Sequence, residues 1–357
     1  NKTGKLKITP LQSQDTGSKK ETTIPVSGST TVTIEEEKNS SEATIKTSDI
    51  GISVDTIKKS IEIANQYNSD NEADSAKTKV TSIQTTYTDD TQATISADVV
   101  KELQSMEKPV DLEVSKLNTD KTVAYTWKMK ADSIKNADKS VNINTKVTVA
   151  DKASDEDEQK IKELAGNEEV NKQVVEFAHS GELPAKTEVT VAVDQALNGK
   201  TVYYFHFDKT AGAEKLVYTG KADVKNGYVT MVLDHCSDYV IFDKNVCTHS
   251  NKKEEGGKEA TCGADGYTGD VYCKICNELV KKGEIIPKTG KHTAGEWEVE
   301  KAATTTEEGS RIKKCTVCGE VVAREAIAKL PAPTPTPAPT PTPVVTPNVT
   351  VSYRTHV

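Results

Sequence analysis

Cysteine is missing from residues 1–235, and all seven cysteines fall between Cys236 and Cys318. The larger part of the chain therefore cannot be disulfide-stapled, and an odd set of seven cannot all pair within one chain. Apolar residues are scarce at 35% and aromatics at 5%, with a mean hydropathy of -0.57. Such a composition can support several modest cores but not one large one. No stretch approaches the ~20 apolar residues that a bilayer-crossing helix needs. The net charge is -8, with Lys and Glu mixed throughout and no basic cluster, which argues against nucleic-acid or anionic-membrane binding. GxxxxGK, GxSxG, HExxH and GxGxxG are all absent. Phosphate-cradling, serine-hydrolase, zincin and dinucleotide chemistries thus lack a starting residue, and no catalytic or cofactor-binding residue is assigned. The chain also lacks an initial Met, a basic n-region and an apolar h-region, and it stops in a β-prone run at Val357. Both ends read as cuts within a longer protein.

What is present is mostly strand pattern. Residues 1–40, rich in Thr, Ser and Lys, read as a linker with one edge strand at Thr30–Ile34. Val54, Ile57, Ile61 and Ala64 recur at helical spacing behind Ser53 as N-cap, and Val99, Val100 and Leu103 do so behind Ser96. Pro109 closes the second helix, and Val110, Leu112 and Val114 then alternate as a strand. Alternation continues through Val123–Met129, Val141–Val149, Val189–Val193, Val202–Phe207, Leu216–Tyr218 and Tyr228–Leu233, with Asn226-Gly227 read as a hairpin turn. The acidic run beginning at Ser154 reads as a capped surface helix reaching Leu164; it lacks the Asp-x-Asp-x-Asp-Gly spacing of a calcium loop. Tyr203, Phe205 and Phe207 fall on one strand face and Tyr204 on the other, so core packing is favoured over a carbohydrate-stacking strip. His179 and His206 read as structural or surface histidines. His235 and Cys236 point to opposite strand faces, and Cys236 fills an apolar slot as a buried thiol rather than a nucleophile.

The run Tyr228–Ile241, a strand followed by His, an apolar residue, Ser, any residue, an aromatic and an apolar pair, resembles the closing strands of a β-rich module common in exported Firmicutes surface proteins. Ala178–Ala185 fits the turn that precedes them in that module, and the likeness covers roughly residues 95–243. The resemblance implies architecture and an extracellular or cell-surface location, without catalytic residues to carry over. Eight of the thirteen prolines lie between Pro331 and Pro347, in a Pro-Thr run that favours extended polyproline II. At ~3.1 Å per residue it would reach on the order of 50 Å. Beyond it, Val351–Val357 resembles the opening of a clostridial hydrophobic repeat.

Aligning the cysteine-bearing region on its CxxC pairs exposes a duplication offset by 42 to 43 residues. One copy carries His249, Cys262, Gly266, Cys273 and Cys276; the other carries His292, Thr305, Gly309, Cys315 and Cys318. His249, Cys262, Cys273 and Cys276 form a Cys₃His set of the type structural zinc prefers. The second copy has Thr305 where the third thiolate is expected, leaving His292, Cys315 and Cys318 as an incomplete site. Disulfides remain the competing reading, through Cys273–Cys276 and Cys315–Cys318, or Cys247–Cys262. The same repeats resemble those that follow the β-rich module in other surface proteins, where Gly-His precedes each copy; Gly290-Lys-His292 has one residue inserted.

These features predict an α+β, mainly β chain: an elongated array of β-sandwich-like domains, small zinc-ribbon-like Cys/His repeats and a polyproline linker. The expected divisions are 1–40 linker and edge strand, 41–94 a small β-α module, and 95–244 the β-rich module. The two repeats follow at 245–288 and 289–330, the Pro-Thr linker at 331–347 and a truncated hydrophobic repeat from 348. The expected function is a non-catalytic structural or adhesive stalk on a bacterial surface, with structural zinc as the only cofactor. Its partner would be a cell-wall or host surface component, with neither nucleic acid nor a transmembrane segment. The alternatives are the accessory tail of an exported hydrolase whose catalytic domain lies upstream, and a glycan-binding module.

Overall fold

A computed structural model describes residues 9–73, 78–149, 155–166 and 172–334. The Ser154 cap, most of the Pro-Thr run and the segment from 348 onward lie outside the described residues. The protein is α+β and mainly β, with three α-helices among the described residues. Two compact units are present: residues 1–251 with 273–278, and residues 252–272 with the chain from 279 onward.

The first unit is built on a nine-stranded sheet. Its order is Gln12–Asp15, Lys19–Ser27, Thr30–Glu37, Glu42–Ile50, Lys79–Tyr87, Asp111–Leu117, Val123–Met129, Gly181–Ala192 and Tyr228–Cys236. Lys79–Tyr87 runs parallel to both of its neighbours, Glu42–Ile50 and Asp111–Leu117, whereas the other paired strands are antiparallel. Parallel neighbours need a crossover, and helices α1 (Val54–Asp70) and α2 (Ala97–Gln104) supply the two. Ser53 Oγ accepts from Thr56 N–H and Ser96 Oγ from Val99 N–H, satisfying donors that a helix start otherwise leaves open. Ile57, Ile61 and Ala64 of α1 and Val99, Val100 and Leu103 of α2 are buried against the sheet.

The divisions expected after residues 40 and 94 fall inside this sheet. One core cluster runs from Ile24 to Ile241, and residues 12–37 contribute three paired strands rather than a linker. The strand-helix pattern at 41–94 marks the first crossover of a shared sheet, because strands pair across any sequence distance once a helix spans the gap.

A second, antiparallel sheet is ordered Thr145–Val149, Lys172–Phe177, Tyr239–Phe242, Thr201–Asp208, Lys215–Asp223. Trp127, fully buried, joins the two sheets: its indole N–H donates to Thr145 Oγ1 at 2.8 Å and its ring meets Phe177 edge-on at 5.5 Å. Asn226 and Gly227 both have positive φ, at 53° and 78°, as a tight turn requires. The turn closes one antiparallel bridge, between Lys225 and Tyr228, beyond which the chain parts: the strand before it lies in the second sheet and the strand after it in the first.

The three central strands of the second sheet are buried on both faces, whereas its outer strands, Thr145–Val149 and Lys215–Asp223, have no buried side chain among the described residues. Val202, Tyr204 and Ile241 face the large core, while Phe205, Phe207, Val240 and Phe242 face a smaller cluster with Ile161 and Ala165 of helix α3 (Asp155–Leu164) and its C-terminal turn. Val246 and Cys247 pack against that smaller cluster. Cys236 is fully buried in the large core, and burial pushes its thiol up to about 12. Among the described residues, no helix is long and apolar enough to cross a membrane.

The second unit consists of short antiparallel pieces. Gly266–Tyr267 pairs with Ile285–Ile286, and Ala294–Lys301, Gly309–Cys315 and Val321–Ile327 form a three-stranded meander. Among its described residues, the only buried hydrophobic side chains are Ile312 and the thiols of Cys262 and Cys315.

Candidate metal centres

Two CxxC turns of the same design anchor two clusters. Cys273 N–H donates to Glu278 O at 2.9 Å and Asn277 N–H to Cys273 O at 2.9 Å; in the second turn Cys315 N–H donates to Glu320 O at 2.8 Å and Gly319 N–H to Cys315 O at 2.9 Å. The residue after the second cysteine must turn left-handed, and Asn277 (φ 58°) and Gly319 (φ 76°) are residue types that tolerate this. Within each turn a backbone N–H points at the first sulfur: Ile275 at Cys273 Sγ, 3.3 Å, and Val317 at Cys315 Sγ, 3.5 Å. Lys274 N–H donates to Asn251 O and Thr316 N–H to Thr293 O, which ties each turn to the segment just past its histidine.

Around the first turn stand Cys247, His249, Cys273 and Cys276, with one ligand atom from each lying within 4.8 Å of the others. Cys247 Sγ is 3.8 Å from Cys273 Sγ, and His249 Nδ1 is 3.3 Å from Cys276 Sγ. Cys273 and Cys276 are buried, while Cys247 and His249 are half-buried. All four belong to the first unit. Around the second turn stand Cys262, His292, Cys315 and Cys318, again within 4.8 Å of one another and all in the second unit. Cys262 Sγ is 3.5 Å from Cys315 Sγ, and His292 Nδ1 is 3.3 Å from Cys318 Sγ. The other ring nitrogen of His292 lies 3.5 Å from Glu320 Oε2, the carboxylate-histidine pairing that orients metal-binding imidazoles.

No protein-family model, curated protein or solved structure matches the chain. The chemistry is therefore read from the clusters themselves. A tetrahedral zinc ion with Zn–S of about 2.3 Å and Zn–N of about 2.0 Å separates its sulfurs by about 3.8 Å and a sulfur from a nitrogen by about 3.5 Å. The observed separations of 3.3–3.8 Å match these edges. A disulfide needs about 2.05 Å, and all seven cysteines are free. Burial pushes Cys247 up to about 12, with His249 N–H opposing, and Cys262 up to about 11. Cys273 is held down at about 6 and Cys315 at about 5. At Cys273 burial raises the thiol, but the N–H groups of Cys276 and Ile275 and the His249 ring outweigh it. At Cys315 the N–H groups of Cys318 and Val317 lead. Each turn thus stabilises one thiolate, the form that binds metal.

The structure regroups the ligands expected from spacing. His249, Cys273 and Cys276 come together, and so do His292, Cys315 and Cys318. Cys262, however, does not join His249: Cys247 and Cys262 belong to different clusters. Cys262 completes the second set, which is therefore not the incomplete site expected from Thr305. Cys247, overlooked as a ligand, completes the first. The equal thirteen-residue steps from His249 to Cys262 and from His292 to Thr305 mark equivalent places in the repeat, not members of one site. The signal that identifies Cys247 is its Cys-x-His spacing to His249, short enough for both side chains to reach one ion.

Proposed function

We propose that the chain is a non-catalytic structural segment of an exported bacterial surface protein, a stalk that spaces or displays other domains, and that each Cys₃His cluster holds a structural zinc ion. The observation that carries this reading is the near absence of a core in the second unit, where Ile312 alone joins two thiols in the described interior. A module with so little apolar burial cannot offset its chain entropy by packing, whereas structural zinc supplies on the order of 10–16 kcal/mol in comparable small modules. Each cluster already offers four protein ligands, leaving no open position of the kind a catalytic zinc keeps for water or substrate. Burial of Phe205 and Phe207 weighs against a carbohydrate-stacking strip on their strand. The surface location rests on the likeness of Tyr228–Ile241 to exported modules and on the Pro-Thr run.

Native mass spectrometry of the full chain tests the metal assignment: two zinc ions per chain with all seven thiols retained are expected. A metal-free chain lighter by two protons per bridge would overturn it.

A further inference from the structure

The two clusters recruit their fourth ligand in different ways, and the difference follows a rule. The turn carrying Cys262 and the turn carrying Thr305 occupy the same place in the repeat. Thr261 N–H donates to Ala264 O and Thr304 N–H to Glu307 O, both at 2.9 Å; the Thr261 carbonyl then accepts from Thr289 N–H and the Thr304 carbonyl from Leu330 N–H, again both at 2.9 Å. A side chain at Gly266 would run into the backbone of Lys258 and Ala260, and one at Gly309 into that of Lys301 and Ala303. In both copies the turn thus lies against the chain segment by which the repeat exits.

We propose that the cysteine of this turn acts one repeat ahead, closing the metal cluster of the following repeat, so that the second metal is a clasp between repeats and the array has a direction. This rests on the reading that the clusters hold zinc. Cys262 lies in the first repeat, but its partners His292, Cys315 and Cys318 all lie in the second. Gly263 leaves room for the approach, since a methyl group there would stand 2.9 Å from Cys318 Cβ. The first repeat has no predecessor to lend a thiol, and Cys247 stands two residues before its histidine. The second repeat receives Cys262 and has Gly290 at the position matching Cys247. No further repeat of this type follows within the chain, and Thr305 stands where a lending cysteine would be. One rule therefore accounts for all four positions: Cys247 present, Gly290 without a thiol, Cys262 present, Thr305 without a thiol. A metal held from both sides of the 287–291 connection restrains it, as neighbour terms do in linear repeat proteins.

The test uses the full zinc-loaded chain and its Cys262→Ser, Cys247→Ser and Thr305→Cys variants, with zinc counted by native mass spectrometry, cysteines mapped by alkylation and, in parallel chains carrying Trp297→Phe, Trp127 emission as the folding control. In Cys262→Ser, Cys315 and Cys318 are expected to alkylate at least about tenfold faster while Cys273 and Cys276 stay protected, with trypsin cleavage at Lys288 and Lys291 rising in step. Cys247→Ser should give the reciprocal pattern. Thr305→Cys should keep two zinc ions and expose one freely reactive thiol. If Cys262→Ser exposes Cys273 and Cys276 while the unmodified chain holds two zinc ions, the clasp is wrong and the zinc assignment stands. An unmodified chain without metal overturns both.

Discussion

Gly263 lies so close to Cys318 that a Cβ on the glycine would sit 2.9 Å from Cys318 Cβ and 3.4 Å from its sulfur. This approach brings the Cys262 turn to the His292 cluster, and it leaves no room for a side chain. Gly263→Ala is therefore expected to weaken metal binding at the second cluster by about tenfold, in the range seen when groups next to metal ligands are altered. The first cluster, built from other residues, should be unaffected. Competition titration with a chromophoric chelator would show one site weakened and one unchanged; two equal losses would contradict the geometry.

Asn68 of α1 is a buried polar side chain that stands in for a strand partner. Its Nδ2 donates to Val80 O at 2.9 Å and its Oδ1 accepts from Val80 N–H at 2.7 Å. The neighbouring strand Asp111–Leu117 begins to pair only at Ser82, so Val80 has no ladder partner on that side. Asn68→Ala leaves both peptide groups buried without partners, at about 1–3 kcal/mol each. In a Trp297→Phe chain, urea unfolding followed by Trp127 emission should show a lower midpoint with an unchanged slope.

Much of the fold was readable from local patterns, and what escaped was long-range. The Ser53 and Ser96 caps, the apolar spacing of α1 and α2, and the alternation of Tyr203, Phe205 and Phe207 against Tyr204 depend on neighbours in sequence, and each has its expected counterpart in the structure. That Thr30–Glu37 and Tyr228–Cys236 belong to one sheet depends on a succession of pairings, the widest of them between Val123–Met129 and Gly181–Ala192 some sixty residues apart, which no local period encodes. The clusters divide the same way. The CxxC turns and their histidines are local and were legible, whereas the fourth ligand is set by which loop reaches which turn. Repeat alignment therefore pointed to Cys262 for the wrong cluster and passed over Cys247.

His206, on Thr201–Asp208, faces His235 across the two sheets with ring centroids 5.2 Å apart and lies 5.8 Å from Tyr239. Burial first, then the His235 ring and Lys215, hold the His206 imidazole below its ordinary range, against the opposing pull of Asp208 and Asp238. A histidine with a depressed native value binds its proton more readily when unfolded. Its contribution to stability is therefore complete above about pH 6.5 and is lost as the pH falls through the depressed value. The melting temperature of the first unit should fall between pH 7 and 5, and His206→Gln should fall less over that interval. Parallel curves for the two proteins would remove His206 as the cause.

The two tryptophans divide between the two units, which turns chelation into a test of what each unit depends on. Trp127 is sealed in the core between the sheets of the first unit. Trp297 lies on the meander of the second, with the Arg311 guanidinium 4.7 Å and the Lys313 ammonium 5.2 Å from its ring. Around Trp297 the interior is little more than Ile312 and ligand thiols, so removing metal removes most of what orders the meander, whereas the large core is held by apolar burial that a chelator does not touch. In a Trp127→Phe chain, a strong zinc chelator should shift Trp297 emission to the red and raise its quenching by acrylamide several-fold, and zinc but not magnesium should reverse both. In a Trp297→Phe chain the same treatment should leave Trp127 emission where it was. If the two indoles respond together, the first unit also depends on metal; if neither responds, the repeats are ordered without it.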